Sequence, residues 1–195
     1  ARRDTEGAGD GACLGCHPDL AEDIEAHSHH PQESEGSRCT NCHMPHTTYG
    51  LFTAMRSHRI DSPTAATRQA NERPNACGLC HLDQTTKWVQ DQLVEWYGQT
   101  PVELDPDRRE VASGVLLALR GNAAQRAITA WHMGWEPAQR ASGRNWQAAY
   151  LAVLLGDPVA AVRQVAARAL ATLPGFADFE YDYIGPPAER AARAA

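Results

Sequence analysis

One pattern occurs three times in this chain, as Cys13-Leu14-Gly15-Cys16-His17, Cys39-Thr40-Asn41-Cys42-His43 and Cys77-Gly78-Leu79-Cys80-His81. The three copies contain all six cysteines of the 195 residues, and a histidine directly follows each pair. With nine histidines in the chain, this arrangement would arise by chance with a probability of roughly one in ten thousand. The repeated Cys-x-x-Cys-His pattern is therefore a chemical signature.

The pattern is typical of covalent haem attachment. The two thiols add to the vinyl groups of the porphyrin, and the adjacent imidazole becomes the proximal ligand of the iron. A zinc site would need four ligands at one point, whereas His17 to Cys39 and His43 to Cys77 lie 22 and 34 positions apart. We therefore predict three covalently bound haem c groups, attached through Cys13, Cys16, Cys39, Cys42, Cys77 and Cys80, with the proximal ligands His17, His43 and His81.

Charge and hydropathy argue against some functions. The formal net charge is -6 and the mean hydropathy is -0.49. Nucleic-acid binding depends on Lys and Arg that neutralise phosphates, so we expect no nucleic-acid partner. Haem propionates would add negative charge, which favours redox protein partners with a basic docking surface. The apolar runs are far shorter than the roughly 20 residues of a membrane span, so we expect no integral membrane segment.

The chain divides into regions of different composition. Eight of the nine histidines and every cysteine precede residue 84, in a segment rich in Gly, Pro, Ser, Asn and Thr. Such a segment needs a cofactor core in order to fold. We predict a mainly α fold: a haem-organised, loop-rich trihaem cytochrome c domain at 1–98, a C-terminal α-helical HEAT-like domain at 99–175, and an extended tail at 176–195.

Helical periodicity begins near Thr86. The first helix should end at Gly98, a residue suited to the left-handed position after a helix. A second helix should carry the apolar stripe Val111, Val115 and Leu119. Together with the first, the predicted helices are 88–97, 107–120, 123–133, 146–155 and 159–173, of which the last four fall within residues 100 to 175.

The stretch from Asp157-Pro158-Val159 to Leu170 resembles the HEAT repeat. In that family an Asp-Pro turn opens a helix, a Val-Arg pair follows, and small residues allow close stacking, as in Val162-Arg163 and the alanines around it. The helix at 146–155 would be the partner of this segment, and the helices at 107–120 and 123–133 could form a divergent second pair. Two pairs are few for a solenoid, because stacking buries each repeat's apolar face. We therefore expect the helices to pack on the haem region or on a neighbouring molecule.

Each haem needs a second axial ligand if its iron is to be six-coordinate. Methionine ligands are possible in principle, but Met44 follows a proximal histidine directly and is badly placed, so we favour histidine. His46 lies only three residues after His43, which is too close to reach around the porphyrin. The histidines outside the motifs are His27, His29, His30, His46, His58 and His132.

The segments His43-Met44-Pro45, Arg56-Ser57-His58 and Cys77 to His81 resemble the second half of the pentahaem cytochrome c nitrite reductases and related multihaem cytochromes. The resemblance implies that His58 ligates the first haem opposite His17. It also implies that His30, or its neighbour His29 or His27, ligates the third haem opposite His81. For the middle haem, His132, His29, His27 and a residue of another subunit all remain open.

Closely packed haems favour electron transfer. The three motifs span only residues 13 to 81, and iron with two histidine ligands has no position for a substrate. We therefore expect an electron-transfer protein and not an enzyme, working with redox partners and able to form a homo-oligomer or filament. The alternative is a reductase of a small nitrogen oxyanion at a five-coordinate middle haem. In the nitrite reductases that haem commonly carries a lysine, and the single lysine here, Lys87, replaces no motif histidine.

Overall fold

The computed structural model describes residues 8–50, 52–65 and 73–194, and within them the chain is mainly helical. No helix in these ranges is both long and apolar enough to cross a bilayer. The helices are α1 (Ala8–Leu14), α2 (Asp19–Glu22), α3 (Ile24–Ser28), α4 (Cys39–His43), α5 (Ala76–Cys80), α6 (Thr86–Tyr97), α7 (Pro106–Glu110), α8 (Ser113–Arg120), α9 (Ala123–Met133), α10 (Glu136–Ser142), α11 (Gln147–Leu155), α12 (Ala160–Leu170) and α13 (Pro187–Ala194).

The first half consists of short elements. Helices α1 to α5 have four to seven residues each, and a 3-10 turn, Glu35–Ser37, lies between α3 and α4. Helices this short are marginal without tertiary support. Two of the Cys-x-x-Cys pairs lie within helices, in α4 and α5, while the first begins at the end of α1.

A β-hairpin that was not predicted from the sequence follows the second motif. Strands β1 (His46–Gly50) and β2 (Thr53–Arg56) are antiparallel, and Gly50 pairs with Thr53 across the turn. The hairpin packs on α9 in the second half of the chain. It is one of the connections that join the motif region to the helices.

Another connection runs through the loop after the third motif. Leu82 is fully buried in the same core as residues of α8, α9, α11 and α12. The first N–H groups of α8 are satisfied by this loop, because Ser113 N donates to Gln84 O (2.8 Å) and Gly114 N donates to Leu82 O (2.9 Å). The core thus continues across residue 98, and the boundary placed there stays a prediction.

The same contacts correct the predicted helix 107–120. The structure has two helices, α7 and α8, separated by extended backbone at Val111 and by a bridge between Thr85 and Ala112. Docking of the α8 N-terminus on the third-motif loop requires this break. The predicted stripe is wrong as well, since Leu119 is 49% exposed whereas Gly114 and Ala118 are buried.

The remaining helices agree with the predicted bounds at some ends and differ at others. Helix α6 ends at Gly98, which has φ of 61° as predicted, and α9 has the predicted bounds. The prediction missed α10, and α12 ends three residues earlier than expected. The tail is non-helical from residue 174 to 186 and packs Phe176 and Tyr181 against the core before α13 begins.

A buried ion pair joins the helices of the second half. Asp157, between α11 and α12, is 7% exposed and accepts from Arg126 of α9 at Nε (2.5 Å) and Nη2 (3.1 Å). The Asp157 carboxylate also accepts a hydrogen bond from Val159 N, at the start of α12 (2.8 Å). Arg163 adds a bond to the Asp157 carbonyl and one to the Tyr183 carbonyl of the tail. This corner therefore ties three helices and the tail together.

We expect the substitution Asp157→Ala to lower the free energy of unfolding by roughly 3 kcal/mol, because it leaves the Arg126 guanidinium without its carboxylate partner in a largely buried place. Asp91→Ala is the matched control, since it removes an exposed pair with Lys87 and should cost less than about 1 kcal/mol. Urea unfolding of the haem-loaded protein, followed by far-ultraviolet circular dichroism, measures both. Equal losses in the two variants would contradict the role given to Asp157.

Candidate functional site

The three Cys-x-x-Cys-His motifs lie next to one another in chain order. Helix α1 packs against α4, and α4 packs against α5. The Asp10 carboxylate of α1 accepts from Cys39 N at 3.0 Å and so joins the first motif to the second. Groups attached to neighbouring motifs would therefore also be neighbours.

The cysteines are suited to thioether bonds. None of the six forms a disulfide bond within the described residues, and burial raises the pKa of Cys77 and Cys80 to about 12. Burial, with the nearby Asp10 carboxylate, raises the pKa of Cys39 to about 12 as well. These surroundings disfavour a thiolate but accept a neutral thioether. Within the described ranges, no three His, Cys, Asp or Glu side chains converge as a metal cluster would require.

His43, the histidine of the second motif, faces His27. The two ring centroids are 6.2 Å apart, and the ring planes are within 14° of parallel. His43 Nδ1 lies 2.9 Å from the Asp61 carbonyl oxygen, which can only accept, so Nδ1 carries the proton. The free lone pair of His43 is then on Nε2, the nitrogen available to a metal.

His81, the histidine of the third motif, faces His30. Their ring centroids are 6.0 Å apart, with 36° between the planes. His30 Nδ1 lies 2.6 Å from the Ser28 carbonyl oxygen, so here too the Nε2 lone pair is free. Trp88 of α6 packs against the other ring, His81, at 5.0 Å.

The separation of the two ring pairs fits an iron between them. Two imidazoles bound at roughly 2 Å on opposite sides of a metal have ring centroids roughly 6 Å apart. Burial lowers the pKa of His27 and of His81, and the facing histidine adds to the lowering in each case. The lowered pKa favours the neutral form of both rings, which can donate a lone pair to a metal.

His29 has different surroundings from its neighbours His27 and His30. Its backbone is left-handed, with φ of 55°, and its ring stacks on Trp96 of α6 at 4.2 Å and 13°. Tyr97 of the same helix donates its hydroxyl to the His27 carbonyl oxygen at 2.6 Å. The end of α6 thus holds the segment from which His27 and His30 extend.

His132 lies in the helical core and is 1% exposed. Its Nε2 lies 3.0 Å from the His46 carbonyl oxygen and therefore donates a proton there, the opposite of the arrangement at His43 and His30. Among the described residues its Nδ1 has no hydrogen-bond partner, and the ring is buried among Trp131, Trp135 and His46. The structure does not bring His132 to a motif histidine.

His17 and His58, the pair expected at the first haem, are both exposed. In the part of the chain that the structure describes, neither ring contacts another aromatic ring. The structure thus brings together histidine partners for the second and third motifs but not for the first.

Sequence reasoning did not find the backbone carbonyls of Asp61 and Ser28 that orient two of the ring nitrogens. No residue type signals such a contact, because any residue has a carbonyl group. It also did not find the aromatic end of α6 as the support of the histidine-rich segment, although Trp96 and Tyr97 are both conspicuous in the sequence.

The buried ring of His132 makes a prediction about acid stability. Burial lowers the pKa of His132 to about 3, below the value of 6.5 that it would have when unfolded. Below pH 6.5 the unfolded chain takes up a proton that the folded chain does not, so stability is full above pH 6.5 and falls as the pH falls towards 3. Between pH 7 and 4.5 we expect a loss of roughly 2.5 kcal/mol from this residue.

The substitution His132→Gln tests this expectation, because a glutamine amide can still donate a hydrogen bond but does not titrate. His46, whose pKa burial lowers to about 4, stays in both proteins and cancels in the comparison. Urea unfolding at pH 7 and at pH 4.5 should show a smaller loss in the variant than in the parent. An equal loss in both would rule out titration of His132 as the cause.

Comparison with protein families finds a match between residues 16–130 and the model described as Cytochrome c552. No curated protein and no solved structure matches the chain.

Proposed function

The chain belongs to the cytochrome c552 family, and from this membership we propose that it is a three-haem electron-transfer protein whose irons are each bound by two histidines. The family makes it a c-type cytochrome, with covalently bound haem c. The number of haems and the ligand pairs are the proposal. The proposal is carried by two pairs of facing imidazoles, one at the second motif and one at the third. In each pair the ring centroids are about 6 Å apart, and one ring has its Nδ1 oriented by a backbone carbonyl.

We assign the middle haem to Cys39, Cys42 and the pair His43 with His27. The geometry favours His27 over the alternatives His29 and His132, because His29 stacks on Trp96 and the Nε2 of His132 is engaged with a carbonyl group. A ligand from another subunit is then not required.

The third haem takes Cys77, Cys80 and the pair His81 with His30 in this assignment, as the family resemblance implied. For the first haem we retain Cys13, Cys16, His17 and the distal ligand His58, which rests on the resemblance alone.

Haem iron supplies a one-electron couple, and two histidine ligands leave no coordination position for a substrate. The residues of the chain orient and enclose it. Asp61 and Ser28 fix the ring tautomers through their carbonyl groups, and such contacts also raise the basicity of a ligand. Because α1, α4 and α5 pack in series, groups attached to them would form a continuous path.

Reduction of a small nitrogen oxyanion is the second candidate, since the cytochrome c552 family is associated with nitrite reductase. An enzyme of that kind needs one iron with an open position. With His27 facing His43, the middle haem is no longer the favoured place for it. The first haem is now the favoured place for an open iron, because within the described residues no ring faces His17. We therefore keep the electron-transfer function as the proposal and place the enzymatic alternative at the first motif.

A redox partner with a basic surface fits the charge around the distal histidines. From Asp19 to Ser37 the chain has six acidic residues and no Lys or Arg, and five of these acids are exposed: Asp19, Glu22, Asp23, Glu25 and Glu33. Opposite charges on two redox proteins accelerate their encounter, and salt weakens the effect. We propose that this face receives such a partner in the periplasm or outside the cell.

The stacked helices α9, α11 and α12 are proposed as a HEAT-like layer. Their close packing, with Gly134 against Ala169, agrees with the small residues of the resemblance. Layers of this kind present surfaces for protein contacts, including contacts with further copies in an oligomer or filament.

Substitution of His27 by alanine tests the ligand assignment. We expect the oxidised parent protein to show three low-spin haem signals by electron paramagnetic resonance, and His27→Ala to convert one of them to high spin. His29→Ala is the matched control, from the same segment, and should keep three low-spin signals. A pyridine haemochrome assay should give three haems per chain in all proteins. Loss of a low-spin signal in His29→Ala but not in His27→Ala would refute the assignment.

Carbon monoxide binding and nitrite turnover distinguish an electron-transfer protein from a reductase. The reduced parent protein should bind no carbon monoxide and should not reduce nitrite with a viologen donor, because each iron is closed on both sides. Reduced His27→Ala should bind one equivalent of carbon monoxide, which shows that the assay detects an open iron. Carbon monoxide binding together with nitrite turnover by the parent protein would favour the reductase.

A further inference from the structure

The ring of His30 lies directly against the backbone of Gly36. A Cβ atom placed on Gly36 would be 2.2 Å from His30 Cδ2, 2.5 Å from Cγ and 2.9 Å from Cβ. These distances are too short for any non-bonded contact between carbon atoms, whose optimum is roughly 3.5 to 4 Å. The clash includes the base of the side chain, so a rotation of the ring alone would not relieve it.

Space, not backbone conformation, is the reason for glycine here. The described residues with positive φ do not include Gly36, so an L-residue could adopt its backbone angles. What a larger residue could not do is leave the ring of His30 in place.

His30 is held on its other side and cannot move away freely. Its Nδ1 donates to the Ser28 carbonyl oxygen at 2.6 Å, and its backbone N–H donates to Ser28 Oγ at 3.2 Å. A displacement of the ring would therefore break the contact that fixes its tautomer.

Gly36 is fixed as well. It is the middle residue of the turn Glu35–Ser37, in which Ser37 is 5% exposed and donates its hydroxyl to the Gln32 carbonyl oxygen at 2.6 Å. Asn41 of α4 donates its side-chain amide to the Glu35 carbonyl oxygen at 2.8 Å. Neither the His30 ring nor the Gly36 backbone can move without breaking hydrogen bonds. The Gly36 turn is also attached to the helix of the second motif, through Asn41.

We propose that Gly36 is a positioning residue, whose missing side chain leaves the slot that sets the His30 ring opposite His81. The inference rests on the proposed function, in which His30 is the distal ligand of the third haem. It adds that the helix of the second motif, through Asn41 and the turn, determines the axial ligation of the third haem.

The test is the substitution Gly36→Ala in the haem-loaded protein. We expect three haems per chain by pyridine haemochrome, but the loss of one of three low-spin signals by electron paramagnetic resonance, with the same residual spectrum as His30→Ala. Gly11→Ala is the control, because Gly11 is an exposed helical glycine where an added Cβ meets nothing within 4 Å. It should keep the parent spectrum.

The double variant Gly36→Ala/His30→Ala keeps the test decisive if Gly36→Ala does not accumulate as folded protein. Removal of the ring removes the clash, so the double variant should fold and load haem as His30→Ala does. Failure of this rescue would overturn the inference, and so would a Gly36→Ala spectrum equal to that of the parent.

The outcomes also separate the inference from the proposed function. If the parent lacks three low-spin haems, or if His30→Ala retains all three, the ligand assignment itself fails. If His30→Ala opens one haem and Gly36→Ala opens none, only the positioning role of Gly36 fails.

Discussion

Two hydrogen bonds from ring nitrogens to backbone carbonyls are the constraint on which the site depends. His43 and His30 each donate Nδ1–H to a carbonyl oxygen, which leaves the Nε2 lone pair free. At His132 the relation is reversed, with Nε2 bonded to the His46 carbonyl. In the proposed assignment, the nitrogen that the backbone engages therefore distinguishes the haem-binding histidines from this core histidine.

Local signals in the sequence were sufficient for some elements and not for others. Helices α6 and α9 follow from apolar spacing, and α6 also from its end residue, Gly98; both were predicted within two residues. The break between α7 and α8 was not predictable in this way, because it results from α8 docking on a loop some thirty residues earlier in the chain.

For the site, the sequence could enumerate candidate histidines but could not sort them. His27, His29 and His30 lie within four residues and look alike in sequence. Their roles differ because of the left-handed backbone at His29 and its stacking on Trp96, contacts that join positions almost seventy residues apart. Long-range contacts of this kind leave no periodic trace in the chain.

The segment from His27 to His30 also limits how far apart the two histidine pairs can lie. Its two outer rings face histidines of different motifs, although three residues of backbone can span no more than about 10 Å. In the proposed assignment His27 and His30 bind the second and third irons, so this short segment limits how far the two irons can separate. The covalent geometry of the chain would then also limit the distance over which an electron crosses between these two haems.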